Sequence, residues 1–338
     1  MNDQLTEVYA SIDALIDYAL AHLDLDPRNA DWTRNQIFAL FRLDSYPGPK
    51  TTTSAASVSD VVQDIVGSRS QAPYGEKTPD PLLAAFRAAA TTAGLFKPEE
   101  GPAYADTIMG ILSANPADLD DRFLLVEHRD GGMAAMQWFY DYCVANNYVK
   151  RAQLDRNPRF DSHGLTVTIN LAKPEFKNMK KAAAGNAVAG GYPKCTICHE
   201  NEGFAGRDKR TLRTLPVTLG GESWFWQFSP YGYFDQHGIC VNTDHTPMHV
   251  DRDTFGHLLD FVDRFPGYFL GCNAALPRIG GSVLAHDHYQ GGGELLPMHK
   301  AATWAAFTLA DYPDAVVEIL DWPGTAVRVV SKNRQSII

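Results

Sequence analysis

The chain has 338 residues, 45% of them hydrophobic and 21% charged, with a formal net charge of −10. These values exclude a disordered or fibrous chain, and the acidic balance argues against a grip on nucleic-acid backbone, which needs clustered Lys and Arg to release counterions. A small anionic substrate stays compatible, because it asks only for a local positive site.

Length suggests two domains. Met1 to Asp24 has the look of a signal peptide but carries Asp3, Glu7 and Asp13 where a basic region belongs, and it lacks a cleavage site. No apolar run approaches a membrane span, so a cytoplasmic protein without membrane partners is expected. From Leu5 to Leu23 the residues Leu5, Val8, Ile12, Leu15, Ile16, Ala19, Leu20 and Leu23 recur as the buried stripe of an amphipathic helix, which Pro27 ends. Trp32 to Leu43 gives a second helix with Ile37, Leu40 and Phe41 on one face, broken by Pro47, Gly48 and Pro49. Thr51 to Pro81 reads as a loop-rich connection with a short helical run near Val61, Val62 and Ile65. Helices follow at Pro81 to Ala93 and at Gly132 to Asn146, where Met133, Met136, Trp138, Phe139 and Tyr142 read as core packing.

Near residue 160 the period changes. Leu165, Val167, Ile169 and Leu171 alternate with polar residues, as in a half-buried strand. Further strands are expected at Trp224 to Phe228, Gly238 to Val241, Tyr268 to Asn273 and Ser282 to Gln290, with a helix at Asp253 to Phe265 turning Phe255, Leu258, Leu259 and Val262 inward. The pattern is α+β with an antiparallel sheet: a mostly helical region over 1–160, then a catalytic region over 161–338. Val327 to Val330 opens one more strand, yet the chain ends at Ile338 with no closing element, as a fragment of a longer fold would.

Within the expected strand from Ser282, the residues His286, His288 and Gln290 fall on one face, with Cα atoms roughly 6.5 Å apart. Gly280, Gly281 and Ser282 before them supply flexible backbone and a hydroxyl suited to phosphate oxygens. Gly291, Gly292 and Gly293 after them allow close approach of a substrate or another backbone. A neutral imidazole at His288 can attack an α-phosphorus and hold a nucleotidyl group. Gln290 can donate to a phosphoryl oxygen but cannot release a proton, which favours transfer between sugar phosphates over hydrolysis. The bland alternative is a pair of satisfied structural histidines.

Five cysteines without an export signal read as thiols or metal ligands. Cys195 and Cys198 are spaced to grip one metal, and zinc takes such ligands tetrahedrally. His245 and His286 are the choices for the remaining places, with His237 and His249 as competitors and a redox dithiol as the alternative use of the pair.

The segments Leu165 to Pro174, Tyr192 to Arg207, Gln227 to His237, Asp244 to Met248 and Gly280 to Met298 together resemble the galactose-1-phosphate uridylyltransferases, in their longer bacterial branch. Arg34-Asn35 and Trp138-Phe139-Tyr140 are similar too. The resemblance implies a histidine-triad-like antiparallel sheet and exchange of UMP between UDP-glucose and galactose 1-phosphate, with His288 carrying the uridylyl group and Gln290 holding the phosphoryl oxygens. It implies nucleotide contacts at Asn273, phosphate contacts at Ser282, and uracil and ribose contacts at Phe228 and Tyr231. It also implies structural zinc on Cys195, Cys198, His245 and His286. Iron is not expected, since His299 alone lies downstream of the motif. A homodimer is compatible, because the shorter branch forms dimers whose partner completes the site. Relatives of this branch run longer than this chain, and Gly293-Glu294 departs from their pattern, leaving Glu294 without an assigned role. The alternatives are a histidine-triad hydrolase or phosphorylase of adenine nucleotides and a non-catalytic, zinc-stabilised binding module.

Overall fold

A computed structural model of the chain describes residues 3–48, 78–171, 191–276 and 283–338. Gly280, Gly281 and Ser282, and the stretch around Val61, Val62 and Ile65, lie outside those residues. The chain divides into two compact units, Met1–Arg156 with His199–Thr214, and Asn157–Cys198 with Leu215–Ile338. The architecture is α+β.

The first unit is helical: α1 (Asp3–His22), α2 (Ala30–Phe41), α3 (Asp80–Thr92), α4 (Gly101–Leu112), α5 (Pro116–Asp130), α6 (Gly132–Ala145) and α7 (Arg151–Leu154). In α1 the expected stripe is buried at Val8, Ile12, Leu15, Ile16 and Ala19, and it packs against α3. The helix ends at His22, ahead of Pro27, and Asp24 then adopts a left-handed φ of 53°. Helices α4 and α5 are additions to the sequence reading. The charges of α5, among them Asp118, Asp120, Asp121 and Arg122, mask a stripe of Leu119, Phe123 and Val126 that the fold buries. Of the cluster on α6, Met136, Phe139 and Tyr142 are core, whereas Met133 is exposed. Among the described residues, no helix is long and apolar enough to cross a membrane.

The second unit contains a hairpin of β1 (Arg159–Ser162) and β2 (Leu165–Thr168), joined by His163 and Gly164, both at positive φ. Two residues of that conformation suit a tight hairpin turn. Leu165 and Leu171 remain exposed, so the alternating segment is less buried than its pattern implies. The main sheet is antiparallel, with β3 (Leu215–Leu219), β4 (Glu222–Phe228), β5 (Gly238–Asn242), β6 (Phe269–Gly271) and β7 (His288–Gly292) in the order β3-β4-β5-β7-β6. A separate sheet takes the order β10-β9-β8, from β8 (Thr303–Leu309), β9 (Tyr312–Leu320) and β10 (Val327–Ser331), and α9 (Arg334–Ile337) follows it.

Helix α8 (Arg252–Arg264) starts at a capping box, in which the Asp251 carboxylate accepts from the Thr254 N–H at 3.1 Å. Its inward face is Thr254, His257 and Phe261, and Phe255 is exposed, which corrects the stripe expected from hydropathy. The reason lies in what the sheet offers. Trp226 meets Phe261 at 5.1 Å between ring centres, and the Tyr289 hydroxyl lies 3.0 Å from Nδ1 of His257.

The glycines after Gln290 serve backbone packing. A Cβ at Gly291 would fall inside the contact distance of the Phe269 carbonyl oxygen on β6, and one at Gly292 would lie 2.8 Å from the Asp235 carbonyl oxygen. Because backbone cannot move aside as a side chain can, Gly291→Ala is expected to destabilise the protein by about 1–3 kcal/mol. A chemical-denaturation midpoint equal to that of the parent would contradict this close approach.

Candidate active site and metal-ligand cluster

Strand β7 sets two polar side chains on one face of the main sheet. His288 pairs with Val241 and Gln290 with Ile239, so both point away from the face where Tyr289 stacks on Trp224 at 4.7 Å. His288 is 5% exposed, and its Nδ1–H donates to the His286 carbonyl oxygen at 2.8 Å. A carbonyl only accepts, so the proton sits on Nδ1 and the lone pair on Nε2. Burial pushes this imidazole below its ordinary pKa, against a smaller upward pull from the His286 carbonyl. The site therefore presents an imidazole with its Nε2 lone pair free of the proton, on the same face as an amide.

The expected strand from Ser282 to Gln290 is corrected, since pairing begins only at His288. The preceding residues turn instead: the His286 N–H donates to the Val283 carbonyl at 3.3 Å and the Asp287 N–H to that of Thr246 at 2.7 Å. His286 thus leaves the sheet face it was expected to share. Its Nε2–H donates to the Asn242 carbonyl at 2.7 Å, which turns Nδ1 toward the thiols, 3.3 Å from Cys195 Sγ and 3.7 Å from Cys198 Sγ. The two sulfurs are 3.3 Å apart, and the His245 ring centre is 4.4 Å from that of His286.

One ligand atom from each of Cys195, Cys198, His245 and His286 lies within 4.8 Å of the others, so these residues could hold a metal ion. The residues present fit such an ion in two further ways. Nε2 of His245 is buried with no hydrogen-bond partner in the structure, and the second nitrogen of His286 is fixed by a carbonyl, the usual support of a ligating imidazole. The competing histidines go elsewhere. His249 Nδ1 lies 3.5 Å from the fully buried Asp287 carboxylate, and His237 Nε2 lies 3.4 Å from Gln290 Oε1. Burial raises the Asp287 carboxyl above its ordinary range, while His249 pulls it down.

The substrate residues expected from sequence scatter more. Gly271, the last residue of β6, pairs with Gln290, and Asn273 follows two residues beyond the end of that strand. Phe228 lies on the opposite face, 1% exposed and edge-on to Trp226 at 5.6 Å, so the sheet does not bring it together with His288. Tyr231 is half-buried between β4 and β5, and its carbonyl accepts from Asn170 Nδ2 at 3.1 Å. Glu294 gains a structural partner: its carboxylate accepts from Arg159 Nη1 at 2.9 Å and from the Asp235 N–H at 3.0 Å. Sequence reasoning missed this link, and it missed Asn242, which acts through a backbone carbonyl that any residue supplies.

The sequence model of a family described as galactose-1-phosphate uridyl transferase, N-terminal domain, matches residues 67–247. The galactose-1-phosphate uridylyltransferase of Halalkalibacterium halodurans is 32% identical over 345 residues, covering 98% of this chain and 64% of that protein. The protein of the same name from Butyrivibrio fibrisolvens is 33% identical over 341 residues, covering 97% of this chain and 82% of its own length. That from Streptococcus mutans is 38% identical over 248 residues, covering 71% of this chain and 50% of its own length. The chain thus spans between half and two thirds of the length of the first and third of these relatives. No solved structure gives a significant match.

Proposed function

Because the chain belongs to the galactose-1-phosphate uridyl transferase family, we propose that it exchanges UMP between UDP-glucose and galactose 1-phosphate through a covalent uridylyl-histidine. The observation that carries the reading is the His288 tautomer, protonated at Nδ1 by its bond to the His286 carbonyl and nucleophilic at Nε2. In the first half-reaction Nε2 forms a bond to the α-phosphorus of UDP-glucose, and the bond from that phosphorus to the oxygen of glucose 1-phosphate breaks. The leaving group departs with the electron pair as a phosphate oxyanion, which needs no general acid. In the second, a phosphate oxygen of galactose 1-phosphate attacks the same phosphorus and the imidazole leaves. Gln290, on the same face, donates from its amide to the phosphoryl oxygens, and Asn273 contacts the nucleotide. Gly280, Gly281 and Ser282, which lie outside the described residues, are assigned the phosphate contacts from sequence alone, and Tyr231 the ribose contact. Five cysteines, none of them in a disulfide, accord with a cytoplasmic location.

Cys195, Cys198, His245 and His286 hold zinc in this reading, and the metal serves as a structural cross-link because four protein donors leave no open position. The covalent step is tested by mixing the protein with UDP-glucose labelled at the α-phosphate, without acceptor, and quenching. The expected result is label on the protein that survives base and is lost in acid, released as UDP-galactose when galactose 1-phosphate is added. Sugar-nucleotide exchange with no labelled protein at any time would replace the double displacement by direct transfer.

A further inference from the structure

We propose that His237 is the positioning residue for Gln290: its Nε2–H holds the amide oxygen and thereby directs the amide N–H₂ toward the reacting phosphate. The inference rests on the reading of Gln290 as the group that holds the phosphoryl oxygens. An unheld glutamine amide can rotate, and it presents an acceptor to an anionic oxygen as readily as a donor. A fixed donor on its oxygen removes that ambiguity, because the remaining polar group of the amide only donates.

His237 is built as a rigid donor. It is 7% exposed, its Nε2 lies 3.4 Å from Gln290 Oε1, and its carbonyl accepts from the Ser229 N–H at 2.8 Å. Its ring packs against Phe234 at 4.4 Å and Tyr233 at 4.7 Å between centres. Gly232 leaves no room to retreat, since a Cβ there would meet that of His237 at 2.7 Å. The loop bearing His237 is itself pinned to the strand that bears Gln290. Glu294, just past β7, accepts from the Asp235 N–H at 3.0 Å and from Arg159 Nη1 at 2.9 Å, and the Tyr268 hydroxyl bonds Gln236 Oε1. This arrangement assigns Glu294 a place in the same device: it fixes the loop so that His237 meets Gln290 in one orientation.

Two measurements on the full chain test the proposal. The first is the ring tautomer of His237, read from long-range proton–nitrogen correlations of protein labelled with ¹⁵N in histidine and assigned with a His237→Gln variant. A proton on Nε2 is expected; an unprotonated Nε2 overturns the proposal whether or not the chain turns over substrate. The second is kinetic. His237→Leu should lower kcat by up to about 10²–10³-fold, the worth of one lost donor, with KM for UDP-glucose unchanged. His237→Gln, which keeps an N–H donor, should recover most of that loss, and Gln290→Ala should cost little more when added to His237→Leu. A His237→Leu enzyme with parental kcat, alongside a slow Gln290→Ala enzyme, sinks the positioning role. Full activity in Gln290→Ala instead sinks the reading of Gln290 on which it rests.

Discussion

His288→Ala should abolish protein labelling by UDP-glucose and lower sugar-nucleotide exchange by roughly 10⁴-fold or more, the scale of loss when a covalent nucleophile is removed. The magnitude follows from the arrangement. With His288 gone, the sheet face retains Gln290 but offers no lone pair at the phosphorus, and its neighbours Val241 and Ile239 supply none. The substitution deletes one hydrogen bond to the His286 carbonyl and opens a small cavity at a residue that is 5% exposed. The melting temperature should therefore drop modestly while the fold survives, as circular dichroism would report. Exchange at more than about a hundredth of the parental rate in a folded His288→Ala protein would move the nucleophile elsewhere, since donors that only stabilise charge contribute about 10²–10³.

Stripping metal with a strong chelator, or replacing Cys195 by Ser, should lower stability and activity together. Structural zinc in small domains contributes about 10–16 kcal/mol of apparent binding free energy, comparable to the whole stability of a typical domain at about 5–15 kcal/mol. Here Cys195 and Cys198 are 3% and 2% exposed, and the site ties the segment around them to the turn that delivers His288. Without a cation the two thiols and two imidazoles are left as a buried polar cluster, with His245 Nε2 unpartnered. The second unit should then unfold at a lower temperature, with regain of the parental transition on adding zinc back. Near-stoichiometric zinc in purified, untagged protein is the companion expectation. Protein that contains no metal, with Cys195 and Cys198 titrating as ordinary thiols and no response to chelator, would remove the site and leave His286 as a hydrogen-bonding neighbour of His288.

Much of the candidate site was legible in the chain, because it depends on short spacings. The interval between Cys195 and Cys198 and the alternation of His288 with Gln290 are local geometry, and local geometry survives without knowledge of the fold. The helical period of α1 was legible for the same reason, since its stripe meets one environment along its length, whereas the alternating run that became β2 was legible as a strand but not in its burial. Where the environment is heterogeneous, hydropathy misled. Helix α8 buries Thr254 and His257 because the Tyr289 hydroxyl awaits His257, and it leaves Phe255 exposed. Only pairing across the sheet supplies that polar partner.

The pairing of histidines with roles was decided by tertiary structure. In sequence, His245 was the choice for the metal and His237 and His249 its competitors, each a lone imidazole near the others along the chain. The fold sends His245 to the thiols, His249 to Asp287 and His237 to Gln290, although His245 and His249 share the one connection that follows β5 and only His237 precedes it. Likewise His286 was expected on the face of a strand, and a turn closed by the Val283 and Thr246 carbonyls rotates it toward the cysteines instead. The sequence by itself determined which residue types meet within a few positions of one another. Which nitrogen of His286 and of His288 carries a proton, and what the other faces, was set by backbone carbonyls at Asn242 and His286, groups every residue possesses and no sequence pattern marks.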